Sequence, residues 1–326
     1  MHHDNKKKIS TTAALAMLAV VLLGGTLSLE AALKKKPNFI WGSCLGDNAV
    51  LQRGRPVPIW GEGRPGDAPG DAVTVAFQGR EWTGTVGEDG RWRVDIGPLK
   101  PHTKDVAAGD VLTCTVGGRK TELKNVLVGD VWLCLGQSNM DRFLGSDEDY
   151  PALVDGDTRT YPNVRINGRP CVVPKDPKEV KHRFMSALPY HFGRHLFEQG
   201  DVPIGILKAS RSGESIHAFL SPKRWQQFLD EQKPSMDNEY EMVMLGSHPS
   251  TMYGALERFA PMAVTGVYWD QGEGSSMRFP MYYESLLDLF YAQLGELFEQ
   301  PNLPFLMVQK VSLKPKLPAD TALPAA

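Results

Sequence analysis

Between residues 38 and 125 apolar and polar positions alternate. AVTVAFQGREWTGTV, RWRVDI and DVLTCTV each set every second side chain on one face, the period of a half-buried strand. Turn-forming stretches such as GEGRPGDAPGD and GEDG separate these runs, and no helical period of useful length interrupts them. The pattern predicts a small antiparallel β-sandwich with Trp60, Phe77, Trp82 and Trp92 as core anchors. From residue 126 the rhythm changes. VLVGDVWLCLG is continuously apolar, as strands buried on both faces of a parallel sheet are. Phe184, Leu188, Phe192 and Leu196 recur every four residues and predict a helix over 181–199. VPIGILKAS, VTGVYW and LPFLMVQ read as further strands, with helical stretches around 251–259 and 281–300. Strand and helix alternate, so this second region is expected to be α/β with a parallel sheet.

The two ends stand apart. Lys6, Lys7 and Lys8 precede ISTTAALAMLAVVLLGGTLSL, an uncharged and largely apolar stretch that reads as an export signal. Leu29 and Glu30 occupy positions where a cleavage site wants small residues. The stretch is also long enough to span a bilayer, so an uncleaved amino-terminal anchor is the alternative. The expected organisation is a signal peptide or anchor over 1–36, a β-rich domain over 38–125, an α/β domain over 126–310 and an irregular tail over 311–326. The expected location is periplasmic or extracellular, with membrane contact only through the amino-terminal segment.

Composition narrows the chemistry. A formal charge of −2 over 326 residues gives no electrostatic case for nucleic acid. Cys44, Cys114, Cys134 and Cys171 form no C-x-x-C pair and have no histidine at ligand spacing, so no metal site is expected. Export permits disulfides, but the spacing specifies no connectivity.

Three strand ends carry small polar turns: GQSNM at 136–140, SRSGES at 210–215 and DQGEG at 270–274. In parallel sheets the chemistry sits just beyond the carboxyl ends of the strands. A serine at such a tip is a candidate nucleophile if a base can reach it. A glycine lets the backbone approach a substrate closely, and a glutamine amide donates hydrogen bonds without carrying charge. The plainer alternatives are that Ser138 caps a helix, Gly213 permits a tight turn and Gln271 satisfies a buried carbonyl.

These turns, together with DNAVLQRGRPVPIWGEGRPGD, GDVWLCLGQSNM, FMSALPYHFGRHL, VPIGILKASRSGESIHAF and GVYWDQGEG in that order, resemble the sialate O-acetylesterase-like carbohydrate esterases of the SGNH hydrolase superfamily. The resemblance implies a parallel flavodoxin-like sheet flanked by helices behind the β-sandwich. It implies a serine-dependent ester hydrolase that removes O-acetyl groups from a carbohydrate without a cofactor. Ser138 matches the nucleophile. The oxyanion donors are the N–H groups of Ser138 and Gly213 and the side-chain amide of Gln271. Gln137 and Asn139 flank the serine, Glu273 braces its turn, and His217 lines the cleft where the family usually has a glutamate. Asp270 stands where the family commonly has an aromatic residue. The family's general base is a histidine in an Asp-x-x-His element after the last strand, whereas residues 311–326 contain Asp320 and no histidine. The expectation is therefore a weak or inactive esterase. A non-catalytic glycan-binding protein or a decayed gene product is the alternative.

Overall fold

The computed structural model describes residues 40–42, 44–63, 67–155, 160–173, 185–232, 251–276 and 282–309. The expected signal segment 1–36, the tail 311–326, His182, Phe184 and His248 lie outside them. In chain order the strands of the first region are β1 (Ile40–Trp41), β2 (Val50–Gln52), β3 (Val57–Glu62), β4 (Ala72–Phe77), β5 (Arg80–Thr85), β6 (Arg91–Ile96) and β7 (Asp110–Val116). β1, β3 and β6 form one antiparallel sheet, while β5, β4 and β7 follow one another in a second and lead into β8 (Arg119–Gly136). β6 shows why the pattern folds this way: Trp92, Val94 and Ile96 are buried while Arg91, Arg93 and Asp95 are exposed. Phe77 and Trp92 are core residues, but Trp60 and Trp82 only lean on that core, and Trp82 carries the Arg80 guanidinium 4.6 Å from its ring centroid.

The second region adds β9 (Thr160–Ile166), β10 (Arg169–Val172), β11 (Ile204–Ser210), β12 (Gly266–Asp270) and β13 (Phe305–Met307). Its helices are α1 (Ser138–Asp141), α2 (Tyr150–Asp155), α3 (Ala187–Gln199), α4 (Pro222–Gln232), α5 (Tyr253–Glu257), α6 (Glu273–Ser276) and α7 (Tyr283–Leu297). β8 belongs to both regions. Its first half pairs antiparallel with β7, Leu127–Gly129 pair with β2, and its second half runs parallel to β11 and β12. The change of rhythm at residue 126 thus marks a change of neighbours within one unbroken strand.

The parallel strands lie in the order β9, β11, β8, β12, β13, so the chain first places β9 on one side of β8, fills the gap with β11, and then adds β12 and β13 on the other. The order reverses at β8, where α/β sheets form a crevice for ligands. Alternation along β8 sends Val131, Leu133 and Leu135 to one face, with Trp269, Phe219 and the α7 residues Leu286, Phe290 and Leu294. Cys134 points to the other face, with Val164, Ile206 and Tyr190 of α3. Within α3 the buried residues include Ala187, Tyr190 and Gly193, while the expected stripe of Leu188, Phe192 and Leu196 is half-buried. A four-residue repeat drifts about 40° per step around a 3.6-residue helix, so that row winds off the contact face.

The β9–β10 hairpin is an element that the hydrophobic pattern does not announce. It turns on Asn167 and Gly168, both in the left-handed region with φ of 48° and 72°, the pairing that two-residue hairpin turns demand. Among the described residues no helix is long and apolar enough to cross a membrane. All four thiols are free; burial pushes those of Cys44, Cys114 and Cys171 up to about 12 and Cys134 further still.

Candidate active site

Three strands end level with one another. Gly136 of β8 stands opposite Ser210 of β11 on one side and Asp270 of β12 on the other. Ser138, Gly213 and Gln271 therefore leave the same edge of the sheet within a few residues of their strand ends. Gly136 has φ of 153°, and a Cβ there would fall 2.0 Å from the Asp270 carbonyl oxygen. The Gln137 N–H donates to that same carbonyl at 3.1 Å. Only glycine lets the two strand ends close this seam. Beyond it α1 begins, with Gln137 and Met140 buried and Ser138 and Asn139 exposed. Gly213 is also exposed, and its φ of 80° is the left-handed conformation that side chains resist.

Side chains stitch the three turns together. Gln137 Oε1 accepts from Gln271 Nε2 and from the Gly274 N–H, both at 3.1 Å. Gln271 Nε2 also lies 3.1 Å from the Glu214 carbonyl and 2.9 Å from Ser275 Oγ. Ser275 Oγ in turn accepts the Ile216 N–H at 3.0 Å. Both glutamines are almost wholly buried, so each lost partner would leave a desolvated polar group at a cost of about 1–3 kcal/mol. The resemblance makes Gln271 the third oxyanion donor; here its amide nitrogen is committed to the neighbouring turns, and its Oε1 accepts nothing among the described residues.

Behind this seam Tyr283 Oη donates to the Gln271 carbonyl at 3.0 Å and accepts from Trp269 Nε1 at 3.2 Å. Burial first, then the charges of Glu273 and Asp270, raise the Tyr283 phenol above its ordinary value and keep it a donor. Asn139 Nδ2 reaches Asp270 Oδ1 at 3.3 Å and Glu273 Oε1 at 3.2 Å, so the serine's neighbour is tied to the β12 turn by both carboxylates.

One functional pair escaped the sequence reading. Lys208 of β11 and Asp141 of α1 meet at 3.0 Å with side chains only 6% and 5% exposed. Ser210 Oγ and Ser212 Oγ also donate to this carboxylate, at 3.3 and 3.4 Å. The pair fixes the serine's helix to the strand and loop that carry Gly213. A lysine inside the apolar run GILKAS was the available signal, since a buried charge requires a partner.

The described histidines are dispersed. His217 is buried and packs on the Trp225 ring with centroids 5.2 Å apart. His191 faces Asp147 at 3.6 Å, and His102 accepts the Val128 N–H in the first region. Among the described residues, Asp147, Asp149 and His191 bring ligand atoms within 4.8 Å of one another; they lie on the segment after α1 and on α3, outside the stitched turns.

This geometry meets an independent finding. The profile of the carbohydrate esterase family of sialic acid-specific acetylesterases matches residues 128–321, a span that includes all three turns. The chain belongs to this family. Sialate O-acetylesterases of Pongo abelii and Homo sapiens are 28% and 27% identical to it, over 88% of this chain. The chain spans 60% of the length of each. A carbohydrate acetylesterase from Xanthomonas citri shares the architecture with a TM-score of 0.62 and 25% identity, covering 83% of this chain and 60% of that one.

Proposed function

We propose that this chain is a carboxylic-ester hydrolase that removes O-acetyl groups from a carbohydrate by acyl transfer to Ser138. The observation that carries this reading is the level ending of β8, β11 and β12, which sets an exposed serine and an exposed left-handed glycine on one stitched edge. In the reaction Ser138 Oγ attacks the acetyl carbonyl and its proton passes to a general base. The developing oxyanion accepts the N–H groups of Ser138 and Gly213, each such donor being worth about 100–1000-fold. The intermediate collapses, the C–O bond to the sugar breaks, and the sugar oxygen takes the proton. Water then attacks the acetyl-serine and releases acetate. Gln271 holds Gln137, and through it the backbone N–H of Ser138; turned toward the substrate oxygen it would add a third donor.

The proton acceptor sets the turnover, because a Ser–His pair without its base loses about 10⁴–10⁶ in rate. We take the chain to be exported, on the strength of Lys6, Lys7 and Lys8 ahead of the apolar stretch. The test is labelling of Ser138 by a fluorophosphonate together with acetate release from an acetylated oligosaccharide. Both should vanish in Ser138→Ala. Labelling without turnover would mark an activated serine whose acyl-enzyme is not hydrolysed. Glycan binding with no labelling at all would overturn the esterase reading in favour of a binding protein.

A further inference from the structure

A cavity of about 770 Å³ opens at the other end of the molecule, between the β1–β3–β6 sheet and the turns that precede β12 and β13. Pro261 and Glu299 line it just before those strands begin, so it lies at the amino edge of the parallel sheet. Ser138 is at the carboxyl edge, and five residues of β12 separate the two edges by roughly 16 Å. This volume is therefore distinct from the stitched turns.

We propose that the cavity is a second carbohydrate site, one that holds an uncharged stretch of glycan away from the serine. The choice of a sugar rests on the esterase reading; the choice of an uncharged one rests on the walls. Trp41, Trp60 and Trp92 line one side, and the first two are half-buried. Trp92 is buried behind them, edge-on to Trp41 with ring centroids 6.0 Å apart. The Trp60 indole presses on the backbone at Gly42 so closely that a Cβ there would fall 2.2 Å from it. A pyranose has an apolar C–H face that packs on such rings and a rim of hydroxyls that both donate and accept. The polar wall answers that rim. Three arginines (Arg91, Arg93 and Arg258) and three glutamates (Glu62, Glu257 and Glu299) line it, so the wall supplies donors and acceptors without net charge. Arg93 grips Glu299 through two bonds of 2.5 and 2.7 Å, and Arg91 lies 3.7 Å from Glu62. A wall neutralised in this way offers no excess cation to a carboxylated sugar. Its volume falls within the range of about 300–1000 Å³ typical of small-ligand sites.

The proposal is tested by calorimetric titration of the full chain carrying Ser138→Ala, so that no ester is consumed. The probes are cellohexaose, xylohexaose and mannohexaose as neutral chains and trisialic acid as the anionic one. At least one neutral hexaose should bind saturably and trisialic acid should not. Trp60→Ala should weaken that binding about tenfold. Because Trp60 also packs on the core, the rim double variant Glu62→Ala/Arg91→Ala provides a second arm, with side chains 55% and 71% exposed, and should weaken it about threefold. In the Ser138 background neither change should alter hydrolysis of p-nitrophenyl acetate. Binding of no neutral hexaose, affinity unaffected by both variants, or preference for trisialic acid would overturn the proposal. Failure of the esterase reading would show in p-nitrophenyl acetate hydrolysis and leave this titration unchanged.

Discussion

At the carboxyl edge of the parallel sheet, Gln137, Gln271, Gly274, Ser275 and Glu214 are bonded to one another at 2.9–3.1 Å, and Asp141 meets Lys208 out of water. At the amino edge, half-buried indoles border an open volume and the charges pair at the surface. The first arrangement fixes positions; the second offers a surface. Acyl transfer needs the former, because a reacting atom misplaced by about 1 Å forfeits roughly 100-fold in rate. Holding a chain of sugars needs only rings and hydrogen-bonding groups within reach, and tolerates adjustment. At the carboxyl edge, buried polar bonds thus hold the turns in place.

The largest effect that would break this contrast lies in the ion pair. Lys208→Met leaves Asp141 buried without its cation and should destabilise the chain by about 3–5 kcal/mol in urea titration, with ester hydrolysis falling in parallel. Asp141→Asn/Lys208→Met should recover most of that stability; if it does not, the pair's role is packing and not charge. Next, Gln271→Ala should lower kcat/KM for an acetyl ester by about 10²-fold, while Trp60→Ala leaves it unchanged. Equal losses from both would erase the distinction between the edges. Gly136→Ala should cost about 1–3 kcal/mol by forcing a methyl group against the Asp270 carbonyl, whereas Gly254→Ala, where a Cβ meets nothing within 4 Å, should be neutral or mildly stabilising.

The smallest effect is a pH response in the first region. His102 Nδ1 accepts the Val128 N–H at 2.9 Å, so the folded chain needs that nitrogen unprotonated. Burial holds this imidazole below its ordinary value of 6.5, with Asp110 opposing. The unfolded chain therefore takes up the proton first as pH falls, and stability present at neutral pH is lost below about 6.5. Thermal melts between pH 7 and 5 should show a shallower decline in His102→Asn than in the parent.

Much of this was legible because it is local. Most strands in both regions announce themselves by alternation or by a continuous apolar run, and each of the three turns follows such a run directly. Ser138, Gly213 and Gln271 could be singled out for that reason. What escaped depends on residues distant in the chain. Asp141 and Lys208 are 67 positions apart, and nothing in either segment names the other. The β9–β10 hairpin was hidden by Pro162 within its first strand, although Asn167-Gly168 carried the signal. Trp60 and Trp82 were expected inside because alternation assigns a residue to a face, yet it says nothing about how fully that face is covered. The boundary near residue 126 reads as a division in the sequence, while in space one strand crosses it.

That crossing strand has a practical consequence. The backbone leading to the serine is clamped along eighteen residues, first by the β-rich layer and then by the parallel one. A polypeptide nicked between 125 and 126 would leave β2 in one fragment and its partner residues 127–129 in the other, so the fragments should seek reunion sooner than fold alone. The serine at 138 thus stands two residues past the end of a strand that both layers share.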